Sequence, residues 1–197
     1  MIEAKIRPLF QQLFINPIIY HLKNRVHPNT VTLIALAVGL VSAIFVAVDL
    51  RTLAIIFLLL SGYLDIMDGA LAREQNTSSP FGTMLDILSD RSVESFIIIG
   101  LYLRQPELGF IFLLMMMSML ICISSFLLVG IFTKNDGRKG FFYSSGLMER
   151  GESFFFFIVM IIWPSLCIPA GIIFVLLVFW TALYRLYEFN KNTKISY

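Results

Sequence analysis

Between residues 30 and 187 the sequence is a succession of apolar runs, most of them close to 20 residues long, separated by brief polar punctuation. A helix needs about 20 apolar residues, at 1.5 Å rise per residue, to cross the hydrocarbon core of a bilayer. Inside lipid each backbone polar group must also find its partner within the protein, and a helix does this segment by segment. The pattern therefore predicts an all-α integral membrane protein. Composition agrees, since 58% of the residues are hydrophobic and the mean hydropathy of +0.83 lies far above the soluble range. A net charge of only +2, without a basic block, argues against a nucleic-acid partner. Cys122 and Cys167 sit in apolar runs and read as packing residues rather than a disulfide framework or zinc site.

Six spans are expected, at 30–48, 52–72, 80–103, 108–132, 153–163 and 169–187. Together they make a six-transmembrane-helix bundle with spans over 30–189 in one domain covering 1–197. Residues 1–29 form an arm with apolar positions at helical spacing and basic residues between, which predicts an N-terminal interfacial amphipathic helix bent at Pro17. No cleavable signal peptide is expected. Ser79 followed by Pro80 is a strong helix start, whereas Pro164 leaves the fifth run short. Lys5, Arg7, Lys23, Arg25, Arg73, Arg91, Lys134, Arg138, Lys139, Arg150, Arg185, Lys191 and Lys194 fall on one face of this topology, and only Arg51 and Arg104 on the other. The positive-inside rule makes the first face cytoplasmic.

Four carboxylates violate the apolar pattern. Asp65 and Asp68 fall in the last third of the second run, and Asp86 and Asp90 in the first turns of the third. An ionised Asp within a membrane helix costs about 2.5 to 3.5 kcal/mol even on insertion scales. Such a group persists where a metal, water or a cationic group compensates it. Spacings of three and four residues put each pair on one helix face, and two antiparallel helices joined by a short polar turn would bring the pairs face to face. With no His or Cys at that depth, an all-oxygen nest suits Mg²⁺ or Mn²⁺ better than Zn²⁺. Gly69 and Gly82 leave room for a bulky group beside the carboxylates, and Arg73 offers a fork for phosphate oxygens. The parts describe a site for a metal-bound pyrophosphate open to the cytoplasm.

Asp65-x-x-Asp68-Gly69-x-x-Ala72-Arg73, eight intervening residues and Gly82-x-x-x-Asp86-x-x-x-Asp90 resemble the signature of the CDP-alcohol phosphotransferases, the CDP-alcohol phosphatidyltransferase family, at every fixed position. The Pro28-Asn29-x-x-Thr32 entrance to the first span and the segment Gly146 to Arg150 extend the resemblance. It implies a six-span homodimer that attacks the pyrophosphate of a CDP-linked alcohol, usually CDP-diacylglycerol, with a second alcohol and releases CMP. By motif position it implies metal ligation by Asp65, Asp68, Asp86 and also Asp90, with two Mg²⁺ or Mn²⁺ ions. Asp90 would be the general base. Gly69, Ala72, Arg73 and Gly82 would line the cytidine diphosphate site, with Asn29 and Thr32 completing it. The setting implied is a bacterial or archaeal cell membrane.

The acceptor alcohol is less constrained. Arg150 after Glu149, Arg91 beside Asp90, and Arg185 in the last run resemble the branch that makes phosphatidylinositol phosphate, with Lys134, Arg138 or Lys139 as a further cation. That branch usually carries an arginine where this chain has Ser153 and a lysine-arginine pair where it has the looser Phe132-Thr133-Lys134-Asn135. Inositol phosphate is thus expected ahead of glycerol phosphate, an amino alcohol or a sugar alcohol, with Arg91, Lys134, Arg150 and Arg185 as the acceptor-binding residues. Two other classes compete. A membrane prenyltransferase also uses Asp-rich helices for Mg²⁺ and pyrophosphate but needs more spans, and a small non-enzymatic cation transporter would string its carboxylates through the membrane instead of grouping them near one face.

Overall fold

The computed structural model describes residues 25–132 and 150–194, together with Ile19 and Lys23. The interfacial helix expected within 1–29 falls largely outside these residues, as does the loop that carries Lys134. Six α-helices are present among the described residues: α1 Pro28–Ala47, α2 Arg51–Glu74, α3 Pro80–Arg104, α4 Gly109–Phe132, α5 Arg150–Ile162 and α6 Cys167–Lys194. Short 3₁₀ turns, Pro106–Leu108 and Pro164–Leu166, lead into α4 and α6, and no strand occurs among the described residues.

Four of these helices are long and apolar enough to cross a membrane: α1, α2, α4 with its leading turn, and α6 with its own. The other two fall short of that criterion for different reasons. With 25 residues, α3 has the length, but Asp86, Asp90, Arg91 and Glu94 lower its apolarity. The described part of α5 has only 13 residues, ending just before Pro164. The expected helices are thus found close to their expected positions, and the apolar-span criterion is met by four of them.

The chain divides into two compact units, Met1–Arg104 and Gln105–Tyr197. In the first, α1 packs along both α2 and α3, while α2 and α3 make little direct backbone contact with each other. Small residues explain the closeness to α1. A side chain at Gly100 would put its Cβ 2.6 Å from the Ala43 carbonyl oxygen, and one at Gly39 would run into both Val93 methyl groups. Without an appreciable hydrophobic drive between helices in lipid, such close approach and interhelical hydrogen bonds supply the association. Ser42 donates to the Ala54 carbonyl at 2.7 Å and Ser61 to the Ala35 carbonyl at 2.8 Å, joining α1 to α2.

Both turns of the first unit are held by polar groups. Between α1 and α2, Asp49 adopts a left-handed backbone with φ 59°. Its carboxylate accepts from Arg51 Nε at 2.9 Å and pairs with Arg104 Nε at 3.0 Å. The hydrogen bond from Arg51 holds the Asp49 carboxyl below the usual carboxylate range. At the other end, Asn76 turns left-handed after α2, and the Gln75 amide donates to the carbonyls of Lys23 at 2.6 Å and Val26 at 2.9 Å. This ties the end of α2 to the chain entering α1.

In the second unit α6 packs on α4 and α5, around the buried Phe112, Met115, Phe157, Met160 and Phe174. Both cysteines are buried here, and the Cys167 thiol lies 3.1 Å from Gln105 Oε1.

Candidate active site

The first unit gathers the signature residues at one end of its helices. His27 caps α1, its Nδ1 accepting from the Asn29 amide at 3.3 Å, so neither Asn29 nor Thr32 is needed as the cap. Ser79 caps α3 as the sequence predicted: its Oγ accepts from the Gly82 amide at 3.0 Å, and Pro80 begins the helix. These two starts, with the last turns of α2, surround a cavity of about 180 Å³. Its wall includes Asn29, Thr32, Asp68, Gly69, Ala72, Arg73, Gly82 and Asp86. Because α2 and α3 make little direct backbone contact, the side chains of Asp68 on α2 and Asp86 on α3 meet at the cavity rather than in a packed helix interface.

Asp65, Asp68 and Asp86 each offer a carboxylate oxygen, and the three oxygens lie within 4.8 Å of one another. Asp68 is 4% exposed and accepts a hydrogen bond of 2.5 Å from the Thr32 hydroxyl. Three hard oxygen donors converging from two helices suit a divalent cation such as Mg²⁺ or Mn²⁺. The residues present therefore fit the metal their pattern implies. Asp90, one turn beyond Asp86 on α3, is not part of this trio.

The two glycines of the signature do different things. A methyl group at Gly69 would meet nothing closer than Arg73 Nη1 at 3.5 Å, an ordinary contact. At Gly82 it would approach Asn29 Oδ1 at 3.2 Å and Ser79 Oγ at 3.3 Å. Gly82 is thus partly a packing residue that lets the Asn29 side chain lie against the first turn of α3. Gly69 has no such steric reason within the protein, so its missing side chain leaves space in the cavity.

The expected acceptor cations are distributed differently. Arg91 pairs with Glu94 at 2.6 Å, one turn along α3. Glu94 is fully buried, and nothing in the sequence reading singled it out. The signal was present, because Asp86, Asp90 and Glu94 continue one stripe at four-residue spacing. Lys134 lies outside the described residues. Arg150 and Arg185 belong to the second unit. Arg150 stacks on Phe154 at 5.1 Å. Arg185, 8% exposed, donates to the Cys122 carbonyl at 3.4 Å and lies over the Phe126 ring at 5.2 Å.

Residues 25–187, which take in the whole signature and most of both units, match the family model for CDP-alcohol phosphatidyltransferase. The chain belongs to that family. As a CDP-alcohol phosphatidyltransferase relative it is a membrane enzyme of the phosphotransferase type. It is 29% identical over 158 residues to an uncharacterised protein of Aquifex aeolicus, covering 77% of this chain and 76% of that one. It is 27% identical over 172 residues to the archaetidylinositol phosphate synthase of Pyrococcus horikoshii, covering 86% of each. The phosphatidylinositol phosphate synthase PgsA1 of Mycobacterium tuberculosis, solved with CDP-DAG bound, has the same fold. The match covers 89% of this chain and 93% of that one at a TM-score of 0.71 and 19% identity. PgsA1 has also been solved in complex with manganese and citrate.

Proposed function

We propose that this CDP-alcohol phosphatidyltransferase moves a phosphatidyl group from CDP-diacylglycerol to a polar alcohol, with inositol phosphate the favoured acceptor, and releases CMP. The observation that carries the reading is the convergence of Asp68, Gly69, Ala72, Arg73, Gly82 and Asp86 on one cavity, with Asp65 completing a trio of carboxylates beside it. The relatives favour the acceptor, since both an archaetidylinositol phosphate synthase and a phosphatidylinositol phosphate synthase resemble the chain.

Asp65, Asp68 and Asp86 would hold the divalent cations, two Mg²⁺ or Mn²⁺ ions, with Asp90 as a further ligand. When bound, the metal neutralises pyrophosphate charge and eases departure of CMP. Arg73 grips phosphate oxygens through its fork, and the space beside Gly69 admits the diphosphate next to the backbone. Asn29 and Gly82 are also on the cavity wall. Asp90 takes the proton from the acceptor hydroxyl. The hydroxyl oxygen then bonds to the phosphorus that carries diacylglycerol, while the bond from that phosphorus to the CMP oxygen breaks. In-line transfer of this kind depends on positioning and electrostatics rather than on a protein nucleophile.

For the phosphate of the acceptor the candidate cations are Arg91, Lys134, Arg150 and Arg185. Arg185 has suitable surroundings for it, as its described contacts are a carbonyl, a thiol and an aromatic face rather than a carboxylate. The distribution of basic residues in the sequence supports a site open to the cytoplasmic face of a cell membrane, and the working unit in this proposal is a homodimer of six-span subunits.

The test is CMP release by the purified full chain, given labelled CDP-diacylglycerol, Mg²⁺ and, in turn, inositol phosphate, glycerol phosphate, inositol and serine. Fastest release with inositol phosphate is expected. Absence of CMP with every acceptor overturns the donor assignment, and preference for another alcohol overturns the acceptor.

A further inference from the structure

The structure assigns Thr32 a role that its place in the sequence does not suggest: we infer that it is a positioning residue for the metal site, setting the Asp68 carboxylate by a hydrogen bond from its hydroxyl. This deepens the metal reading above and rests on it. Thr32 lies in the first turns of α1 and Asp68 late in α2, and each is 4% exposed. The hydroxyl carries one proton and has two acceptors in range. One is its own helix, the Pro28 carbonyl at 3.3 Å, and the other is Asp68 Oδ2 at 2.5 Å.

The proton goes to Asp68. A neutral hydroxyl of a helical Thr returns to the carbonyl four residues back by default, but that contact is long here. A hydroxyl-to-carboxylate bond is charge-assisted, has its usual length at 2.5 to 2.7 Å, and is roughly twice as strong as a neutral one. Both residues are 4% exposed although they lie on the cavity wall, so water reaches them from that side only. Asp68 is therefore held from α1 while it faces Asp65 and Asp86, and its carboxylate cannot turn without losing the bond.

Two consequences separate this role from direct contact with the nucleotide. The hydroxyl is already committed before any ligand arrives, so its loss shows in metal affinity with no nucleotide present. The effect also depends on the hydroxyl and not on the methyl group, which places serine with threonine and valine with alanine. Partners that orient a ligating carboxylate typically contribute about 10- to 100-fold in metal affinity.

The experiment is Mn²⁺ titration of the full chain in detergent without nucleotide, followed by the electron paramagnetic resonance signal of the free ion. Thr32→Val and Thr32→Ala are both expected to bind Mn²⁺ about 10- to 100-fold more weakly, with helix content unchanged, and Thr32→Ser to bind close to the unsubstituted chain. Two substitutions that remove the hydroxyl keep the test available should one of them misfold. Unchanged affinity in Thr32→Val or Thr32→Ala overturns the inference, as does equal loss in Thr32→Ser. Asp68→Asn separates this from the metal reading: if it too leaves Mn²⁺ affinity unchanged, the metal site itself is misassigned.

Discussion

The two ends of the first unit both carry charge, and they handle it in opposite ways. Between α1 and α2, Asp49 meets Arg51 and Arg104, so opposite charges pair within about 3 Å and the cluster closes on itself. At the other end Asp65, Asp68 and Asp86 bring like charges within 4.8 Å. Arg91 is turned to the buried Glu94. The first arrangement sets a carboxylate between two guanidinium groups, whereas the second sets carboxylates beside one another. In an apolar setting the sign balance of a cluster, more than its presence, separates a fastening from a site.

The sharpest way to break this contrast is to neutralise one carboxylate at each end. Asp90→Asn is expected to slow CMP release by about 10²- to 10⁴-fold, the range for a lost general base, while the thermal unfolding midpoint stays level. Retention of near-full turnover would remove Asp90 from the chemistry. Gly69→Ala comes next. The added methyl group meets only an ordinary contact in the protein, and Ala is the better helix former by about 0.8 to 1 kcal/mol. It should therefore fold at least as stably while losing CMP release by on the order of 10²-fold through a displaced donor. Measuring both quantities on one preparation decides whether that space belongs to the ligand.

Gly100→Ala is the reverse case. Its Cβ would sit 2.6 Å from a backbone oxygen of α1, and overpacking of this kind costs about 1 to 3 kcal/mol. A lowered denaturation midpoint is expected, and an unchanged one would mean that α1 and α3 shift apart freely. The smallest effect belongs to the closed cluster. Asp49→Asn should leave CMP release intact and cost about 1 kcal/mol or less, as partly exposed ion pairs do. The carboxyl is held below its ordinary value in the folded protein, so the stability it contributes is present above the unfolded value of about 3.9 and lost as pH falls through the folded one. Thermal midpoints taken downward from pH 6 should converge for Asp49→Asn and the unsubstituted chain in acid.

Helices were legible in this sequence because lipid leaves few alternatives, and the Ser79-Pro80 start of α3 was legible because its chemistry is local. The site residues were legible as a pattern, since spacing fixes which side chains share a helix face. Spacing says less about which helix that face meets. Spacing alone pointed to a hairpin of α2 and α3, and only the family resemblance brought in Asn29 and Thr32 of α1, whose approach to α3 depends on Gly39 and Gly100 meeting residues more than fifty positions away in sequence. The same gap hid the partner of Thr32, thirty-six residues on, and turned attention from Glu94. Motif reading stopped at Asp90, although the physical stripe runs one turn further.

The packing of α1 on both α2 and α3 also bears on how the protein is made. Its contacts with α3 join Gly39 to Val93 and Ala43 to Gly100, so the pocket is not walled on all sides until synthesis has passed the end of α3. Until then α1 and α2 stand as a hairpin with Asp65 and Asp68 facing no third helix. Loop closure over this distance adds little entropic cost per extra residue, but it orders events: the early hairpin carries its own serine ties, and Asp86 joins Asp65 and Asp68 only with α3. A nascent chain stalled before Pro80 would thus hold Asp65 and Asp68 without Asp86 or Asp90.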